Sequence, residues 1–208
     1  MSLPYVEQLE PSHLILRLEP YSVNGTKRLI TTRKVFSAGT GLALHLSGGE
    51  PAGAHVENLV VGDAVAWADA QPGPRPQVLH WRAASGQEVD IVIEHGDRPV
   101  GVEVMATSRP TLRDARHLRA FREEYGDAVA GCVLLHHGRW TFRMTEGVVA
   151  APWSPRMCQQ STRPSTPWSK RSTSRTSRPF AAVSSTSGTS RAARCASRIA
   201  TNSAFTTS

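Results

Sequence analysis

The sequence predicts an α/β fold with a mixed central sheet flanked by helices, and three observations predict it. Residues 88–94 and 100–105 alternate apolar and polar side chains with a period of two, which is typical of strands. Residues 53–70 and 111–125 repeat apolar side chains at spacings of three and four, which is typical of helices on a sheet. A strand at 130–135 follows the second helix, so the crossover makes its flanking strands parallel.

The elements before the first long helix are shorter. Residues 3–18 predict a short helix followed by a strand, and Pro20 closes this unit. A further strand is expected at 34–36, and the glycines and Pro51 that follow it indicate a loop-rich stretch. The segment therefore adds two strands ahead of the main pattern.

The two alternating strands are predicted to form a hairpin. An earlier strand is expected at 78–82, and residues 95–98 read as a tight connection between the two later ones. In the helix at 111–125, Thr111 is the expected cap, with Asp114 in its first turn. Short strands at 140–142 and 148–151 complete the sheet.

The charge is unevenly distributed along the 208 residues, although the formal net charge is +7. The 17 acidic residues all lie at or before Glu146, whereas nine of the 24 lysines and arginines lie beyond Pro152. The chain before that point is therefore close to neutral, and the overall charge does not indicate nucleic-acid binding by the domain itself.

Cysteines and apolar runs restrict the class of protein further. Cys132, Cys158 and Cys195 are far apart and odd in number, which argues against a disulfide framework or a zinc site. No signal-peptide pattern is found, and no apolar run approaches the roughly 20 residues of a membrane helix. We expect no membrane partner and a cytoplasmic location.

Asp90 and Glu103 are the first candidate site residues. If residues 95–98 form the hairpin loop, these two carboxylates lie opposite each other, with Cβ atoms roughly 5 Å apart. A divalent cation between them would relieve their repulsion, and Mg²⁺ or Mn²⁺ accepts such oxygen ligands. The alternative is an ordinary solvated sheet face, which Glu88 and Glu94 would share.

Several short motifs occur together in a fixed order between Pro20 and Val104. They are PYS at 20–22, KRL at 27–29, KVF at 34–36, TGL at 40–42, ENLV at 57–60, WR at 81–82 with GQEVDIV at 86–92, and GVEV at 101–104. In this pattern the chain resembles the C-terminal domain of prokaryotic AAA-type ATP-binding proteins (domain of unknown function 4143), within the PD-(D/E)XK nuclease superfamily. The resemblance covers roughly residues 1–152 and implies a restriction-endonuclease-like core.

The resemblance implies roles for particular residues. Glu57 would be the helix glutamate of the first motif, and Asp90 and Glu103 the metal-binding carboxylates. A bound Mg²⁺ or Mn²⁺ would polarise the phosphate and activate a water for phosphodiester hydrolysis. The catalytic lysine of the family falls on Met105, and a thioether cannot stabilise developing negative charge. Activity is therefore expected to be weak or lost, with Arg109 the nearest substitute in sequence.

Other features depart from the family pattern. The family aspartate before TGL is Gly39 here, and the chain contains no phosphate-binding loop, so no ATP site is expected. Residues 1–20 resemble the end of a winged-helix linker, residues 21–152 the nuclease-like domain, and residues 153–208 a disordered tail rich in Ser, Thr and Arg. That tail is either a basic arm or an out-of-frame sequence, which suggests a fragment.

Two functions remain open at this point. The first is a degenerate metal-dependent nuclease. The second is a non-catalytic module that binds DNA or a partner such as an AAA-type ATPase. Arg109, Arg113 and Arg116 are the candidate nucleic-acid-binding residues. Because Asp114 and later glutamates interleave with these arginines, a solvated helix face is the alternative.

Overall fold

The computed structural model describes residues 3–22, 32–96 and 98–153. Its helices are α1 Leu3–Leu9, α2 Thr40–Leu46, α3 Gly53–Asp69 and α4 Arg116–Tyr125, followed by a 3₁₀ turn at Gly126–Ala128. Its strands are β1 Ile15–Pro20, β2 Lys34–Ser37, β3 Gln77–Arg82, β4 Glu88–His95, β5 Arg98–Met105, β6 Gly131–His136, β7 Phe142–Thr145 and β8 Val148–Pro152. No helix in these ranges is long and apolar enough to cross a membrane.

The eight strands form one mixed sheet in the order β2-β1-β3-β4-β5-β6-β8-β7. Strands β3, β4 and β5 are antiparallel neighbours, whereas β5, β6 and β8 run parallel. The predicted mixed α/β sheet, with β6 parallel to β5 after a crossover helix, is therefore confirmed. The carboxyl ends of β5 and β6 share one sheet edge with the start of the antiparallel β4.

Helices cover both faces of the sheet, and a separate apolar core lies under each. The core under α3 includes Val61, Trp67, Ile91, Ile93, Val102 and Leu135. The core under α4 includes Trp81, Val89, Val92, Leu118, Phe121 and Leu134. Burial on both sides explains why the middle strands are almost continuously apolar.

Strand β4 changes the face of its side chains partway along. We expected Val89 and Ile91 to share a face, but Val89 packs in the α4 core and Ile91 in the α3 core. The cause is a bulge: Leu79 pairs with Val92 and Trp81 with Val89, so β4 has one extra residue there. Asp90 lies within this bulge, which changes the direction of its side chain.

The predicted register of the hairpin is confirmed. Glu94 pairs with Pro99 and Ile91 with Val102, and the ladder extends one pair further than expected, to His95 and Arg98.

The close packing of α4 on β5 depends on Gly101, because a Cβ there would lie 3.2 Å from the Phe121 ring and from the Cys132 sulfur. Helix α4 therefore sits tightly against β5.

Three expectations about the helices and strands are wrong: one helix was not expected, and two elements begin later than expected. The loop-rich stretch after β2 contains helix α2, a short helix without buried residues that packs beside α3. Helix α4 begins at Arg116, because Thr111 and Asp114 bond to each other in a preceding turn. The strand expected at 140–142 begins at Phe142.

Strand β1 is an integral part of the sheet. It pairs with β2 on one side and β3 on the other, and Leu18 is buried in the α3 core. Residues 15–20, which we assigned to a preceding linker segment, thus contribute to the domain. The KRL motif at 27–29 and the tail from residue 154 lie outside the described residues.

Replacing Leu18 with Ala tests this placement of β1. The variant should lose about 2–5 kcal/mol of unfolding free energy, since a buried leucine leaves a cavity. Leu46→Ala is the matched control, because Leu46 is 75% exposed on α2. Urea unfolding followed by tryptophan fluorescence measures both. Equal small losses in the two variants would show that β1 does not belong to the core.

Candidate functional site

The amino group of Lys34 lies at the centre of an acidic cluster. Its Nζ is 2.9 Å from Glu57 Oε1, 2.5 Å from Glu88 Oε1 and 3.3 Å from Asp90 Oδ1. The four side chains come from β2, α3 and β4, and each is between 19% and 26% exposed. We call this group the Lys34 cluster.

Asn58 positions the Lys34 cluster by joining α3 to β2. Its side-chain oxygen accepts a hydrogen bond from Ser37 N at 2.9 Å, and its amide nitrogen donates to Ser37 O at 3.0 Å and to Thr40 Oγ1 at 3.1 Å. Asn58 is buried, so these bonds are shielded from water. Because Glu57 precedes Asn58 on the helix, the same bonds place Glu57 beside Lys34.

The charges of the Lys34 cluster are not balanced. One ammonium faces three carboxylates, and Arg82 Nε lies 3.8 Å from the other oxygen of Glu88. Burial alone lowers the pKa of Lys34, but the three carboxylates outweigh burial and raise it. Burial and the charge of Glu57 raise the pKa of Asp90 to about 6, against the opposing effect of Lys34. Excess negative charge therefore remains on this group.

Glu103 faces the other helix and has different partners. Its Oε1 lies 3.3 Å from His117 Nδ1 on α4, and Arg116 Nε donates to His117 Nε2 at 3.0 Å. The residue is 6% exposed, and its Oε2 has no hydrogen-bond partner among the described residues. Burial, and next the charge of Asp90, raise the pKa of Glu103 to about 8. Burial and Arg116 lower the pKa of His117.

Asp90 and Glu103 lie near each other without sharing a partner. The strand ladder ends at Ile91 and Val102, and beyond it Asp90 Oδ2 accepts a hydrogen bond from Val104 N at 3.0 Å. Across residues 3–22, 32–96 and 98–153, no side chain forms a hydrogen bond or ion pair with both carboxylates. The structure thus brings Glu57 and Asp90 together on Lys34 and leaves Glu103 on the α4 side.

The arrangement does not fit a divalent cation between Asp90 and Glu103. Both oxygens of Asp90 accept hydrogen bonds from nitrogen donors, and one donor is the cationic Nζ of Lys34, whose charge opposes a second cation beside the same carboxylate. Within the described ranges, no group of three or more His, Cys, Asp and Glu residues is placed to hold a metal ion. The positive charge nearest to Asp90 is the ammonium of Lys34.

The remaining predicted site residues lie at the same sheet edge. Met105 ends β5, half-buried beside the α4 core, so the position of the family lysine carries a thioether in apolar surroundings. Arg109 and Arg113 are exposed in the loop between β5 and α4, and Arg116 is exposed at the start of α4. The arginines therefore flank the carboxylates but do not contact them.

Sequence reasoning missed Lys34, Glu88 and His117 as site residues. Lys34 was noted only as part of a strand motif, and Glu88 only as a residue of a solvated face. The available signal for Lys34 was a basic residue at the start of a short apolar strand. That signal does not show which carboxylates lie nearby, because β2 and β4 are separated in sequence by 50 residues and meet only in the folded sheet.

The raised pKa of Glu103 predicts that stability falls as the pH rises from 6.5 to 8. The folded chain holds this proton up to about pH 8, whereas the unfolded chain releases it near 4.5. Folding therefore binds a proton in this window, and the expected loss is about 1–2 kcal/mol. The effect of Asp90 falls below this window. The histidines with a lowered pKa are still partly protonated in the unfolded chain at pH 6.5, so they oppose the decline by about 0.4 kcal/mol each, equally in every variant compared.

Glu103→Gln should remove the decline, and urea unfolding at pH 6.5, 7.25 and 8 measures it. The matched control is Glu123→Gln, since Glu123 lies on α4 with its side chain 73% exposed. This control should keep the decline of the unmodified chain. A Glu103→Gln protein with the same pH dependence as the control would show that Glu103 ionises normally.

Comparison with known proteins gives a family match and two relatives. The family described as a domain of unknown function (DUF4143) matches residues 52–155, half of the chain. Uncharacterized proteins of Mycobacterium bovis and Mycobacterium tuberculosis are each 27% identical over 156 residues, covering 71% of this chain. The match spans 34% of the length of these relatives. No solved structure matches the chain.

Proposed function

Because this chain belongs to the DUF4143 family, we propose that it is a degenerate PD-(D/E)XK nuclease-like domain without phosphodiester hydrolysis. One observation carries the proposal: the ammonium of Lys34 bonds to Glu57 and Asp90, two of the three carboxylates such a site would need. An ammonium at this place competes with a divalent cation for the same oxygens. The domain thus keeps the acidic residues of the family pattern, but their contacts with Lys34 and His117 do not form a site for its chemistry.

The surroundings of Met105 support the same conclusion. Hydrolysis of a phosphodiester develops negative charge that a cationic or hydrogen-bonding group must stabilise. Met105 offers a half-buried thioether instead, and Lys34 is already engaged with three carboxylates. The arginines of the neighbouring loop lie at the surface. The basic residues nearest to Glu103 are His117, which pairs with that carboxylate, and Arg116, which donates to His117.

Plasmid nicking in Mn²⁺ tests this proposal with the full chain. We expect the unmodified protein and Met105→Lys to leave supercoiled plasmid intact to the same extent as Asp90→Ala. The reason is that restoring the lysine position leaves Asp90 bonded to Lys34. Cleavage by the unmodified chain that Asp90→Ala abolishes would show a working nuclease. Cleavage by Met105→Lys alone would show that the carboxylates do fit a metal.

A second function, nucleic-acid binding without cleavage, is favoured by two adjoining loops. The loop after β5 and the loop after β6 are joined by a hydrogen bond of 2.7 Å from His137 N to Thr107 O. Together they expose Arg109, Arg113 and Arg139, and Trp140 is 60% exposed. Among the described residues these three arginines have no ion-pair partner, so their charge is available to phosphates. An exposed indole offers a surface on which bases stack.

Salt-dependent binding of labelled single-stranded DNA tests this second function. Replacing Arg109 and Arg113 with Ala should weaken binding and reduce the slope of log K against log salt by roughly 0.7 for each lost phosphate contact. The control is Arg75→Ala, because Arg75 pairs with Asp69 elsewhere on the surface. Nine basic residues beyond Pro152 are common to all variants, so slope differences report the loops. Equal slopes would exclude these loops as the binding surface.

An AAA-type ATPase remains the proposed partner on the basis of the resemblance alone. The relatives are about three times as long as the matched segment. Both relatives are described as uncharacterized proteins, so the partner is a proposal about the family context. Co-purification of the chain with a separately expressed AAA-type ATPase would support it.

A further inference from the structure

We infer that Lys34 serves as the built-in cation of this domain, holding by its own charge the carboxylates that a divalent metal would otherwise bring together. The inference starts from the same Lys34 contacts as the proposed function and goes beyond it. It concerns the charge balance of the folded chain, whatever the domain binds. Its consequence is that folding is independent of metal as long as Lys34 is present.

The first argument is the convergence of elements on one atom. Glu57 comes from α3, whereas Glu88 and Asp90 come from β4, and all three have an oxygen within 3.3 Å of the same Nζ. These carboxylates repel each other, and the cation among them reverses the sign of that interaction. Without a cation at this place, α3 and β4 would carry three like charges in a partly buried space.

The second argument is the geometry of the contacts. The separations of 2.5–3.3 Å are those of ammonium hydrogen bonds, and an ammonium donates three of them. Mg²⁺ would require about 2.0–2.1 Å with near-octahedral geometry. The observed positions therefore suit a lysine with three acceptors, which agrees with the absence of a metal-ready group among the described residues.

The third argument is that the lysine is supplied by an edge strand. Among the strands of the described residues, β2 pairs with β1 alone, and Lys34 lies opposite Leu18 in that ladder. The ion pairs of Lys34 therefore connect β2 to α3 and β4 across the sheet. A metal would hold the carboxylates together but would not hold β2, so the lysine also secures the sheet edge.

The test compares Mn²⁺ binding and thermal stability in the full chain and its Lys34→Met variant. The unmodified chain should bind no Mn²⁺ at this site, and its Tm should not change with EDTA or millimolar Mn²⁺. Lys34→Met should lose roughly 5–10 °C in Tm without metal. Millimolar Mn²⁺ should restore part of this loss, and loss of the free Mn²⁺ signal in electron paramagnetic resonance should report one bound ion per chain.

Control variants identify the site of any effect. Lys34→Arg keeps the charge and should remain insensitive to Mn²⁺. Arg75→Met removes a cation from the exposed pair with Asp69 and should show no Mn²⁺ response. Adding Glu57→Gln to Lys34→Met should weaken Mn²⁺ binding at least tenfold, because one of the three carboxylates is lost.

The outcomes that overturn the inference are distinct from failure of the proposed function. If Mn²⁺ raises the Tm of the unmodified chain as much as that of Lys34→Met, the lysine and the metal do not share a place. If Lys34→Met is unfolded and Mn²⁺ does not restore its far-ultraviolet circular dichroism, the lysine does not act as a replaceable cation. Plasmid nicking measures hydrolysis alone, so its result does not decide the outcome of the Mn²⁺-binding and Tm measurements.

Discussion

The contact of one ammonium with three carboxylates is the interaction on which the site depends. Lys34 joins the edge strand β2 to α3 and β4, and it does so through charge in a partly buried place where ion pairs are weakly screened. Three carboxylates at this spacing would otherwise oppose the packing of α3 on the sheet. The identity and position of this cation therefore determine both the local structure and the chemistry available there.

The bulge in β4 has a comparable influence on the acidic residues. It places one extra residue between Val89 and Val92 and so separates the surroundings of Asp90 from those of Glu103. Asp90 bonds to Lys34 and to the amide of Val104, whereas Glu103 meets His117 under α4. A regular strand would have given both carboxylates the same face. The separation gives each carboxylate its own hydrogen-bonding partners, while burial and the nearby charge of Asp90 raise the pKa of Glu103 to about 8.

Several parts of the fold could be predicted because they depend on local or pairwise patterns. The side-chain period of two predicts strand β5, and the period of 3.6 predicts helix α3. The register of the β4–β5 hairpin follows from the short connection between its strands. Helix α2 and the start of α4 could not be predicted in this way. A helix without buried residues has no apolar pattern, and the turn at Thr111 and Asp114 imitates a helix cap.

Apart from what the family resemblance implies for Met105, the sequence alone determined the α/β class, the parallel crossover and the candidate carboxylates. These follow from residue type and spacing along short stretches of chain. Only the tertiary structure decided that Lys34 reaches Glu57 and Asp90 and that Glu103 has a separate partner. The physical reason is that ion pairs form between side chains close in space, and β2 meets β4 only after the intervening helices and strands have packed.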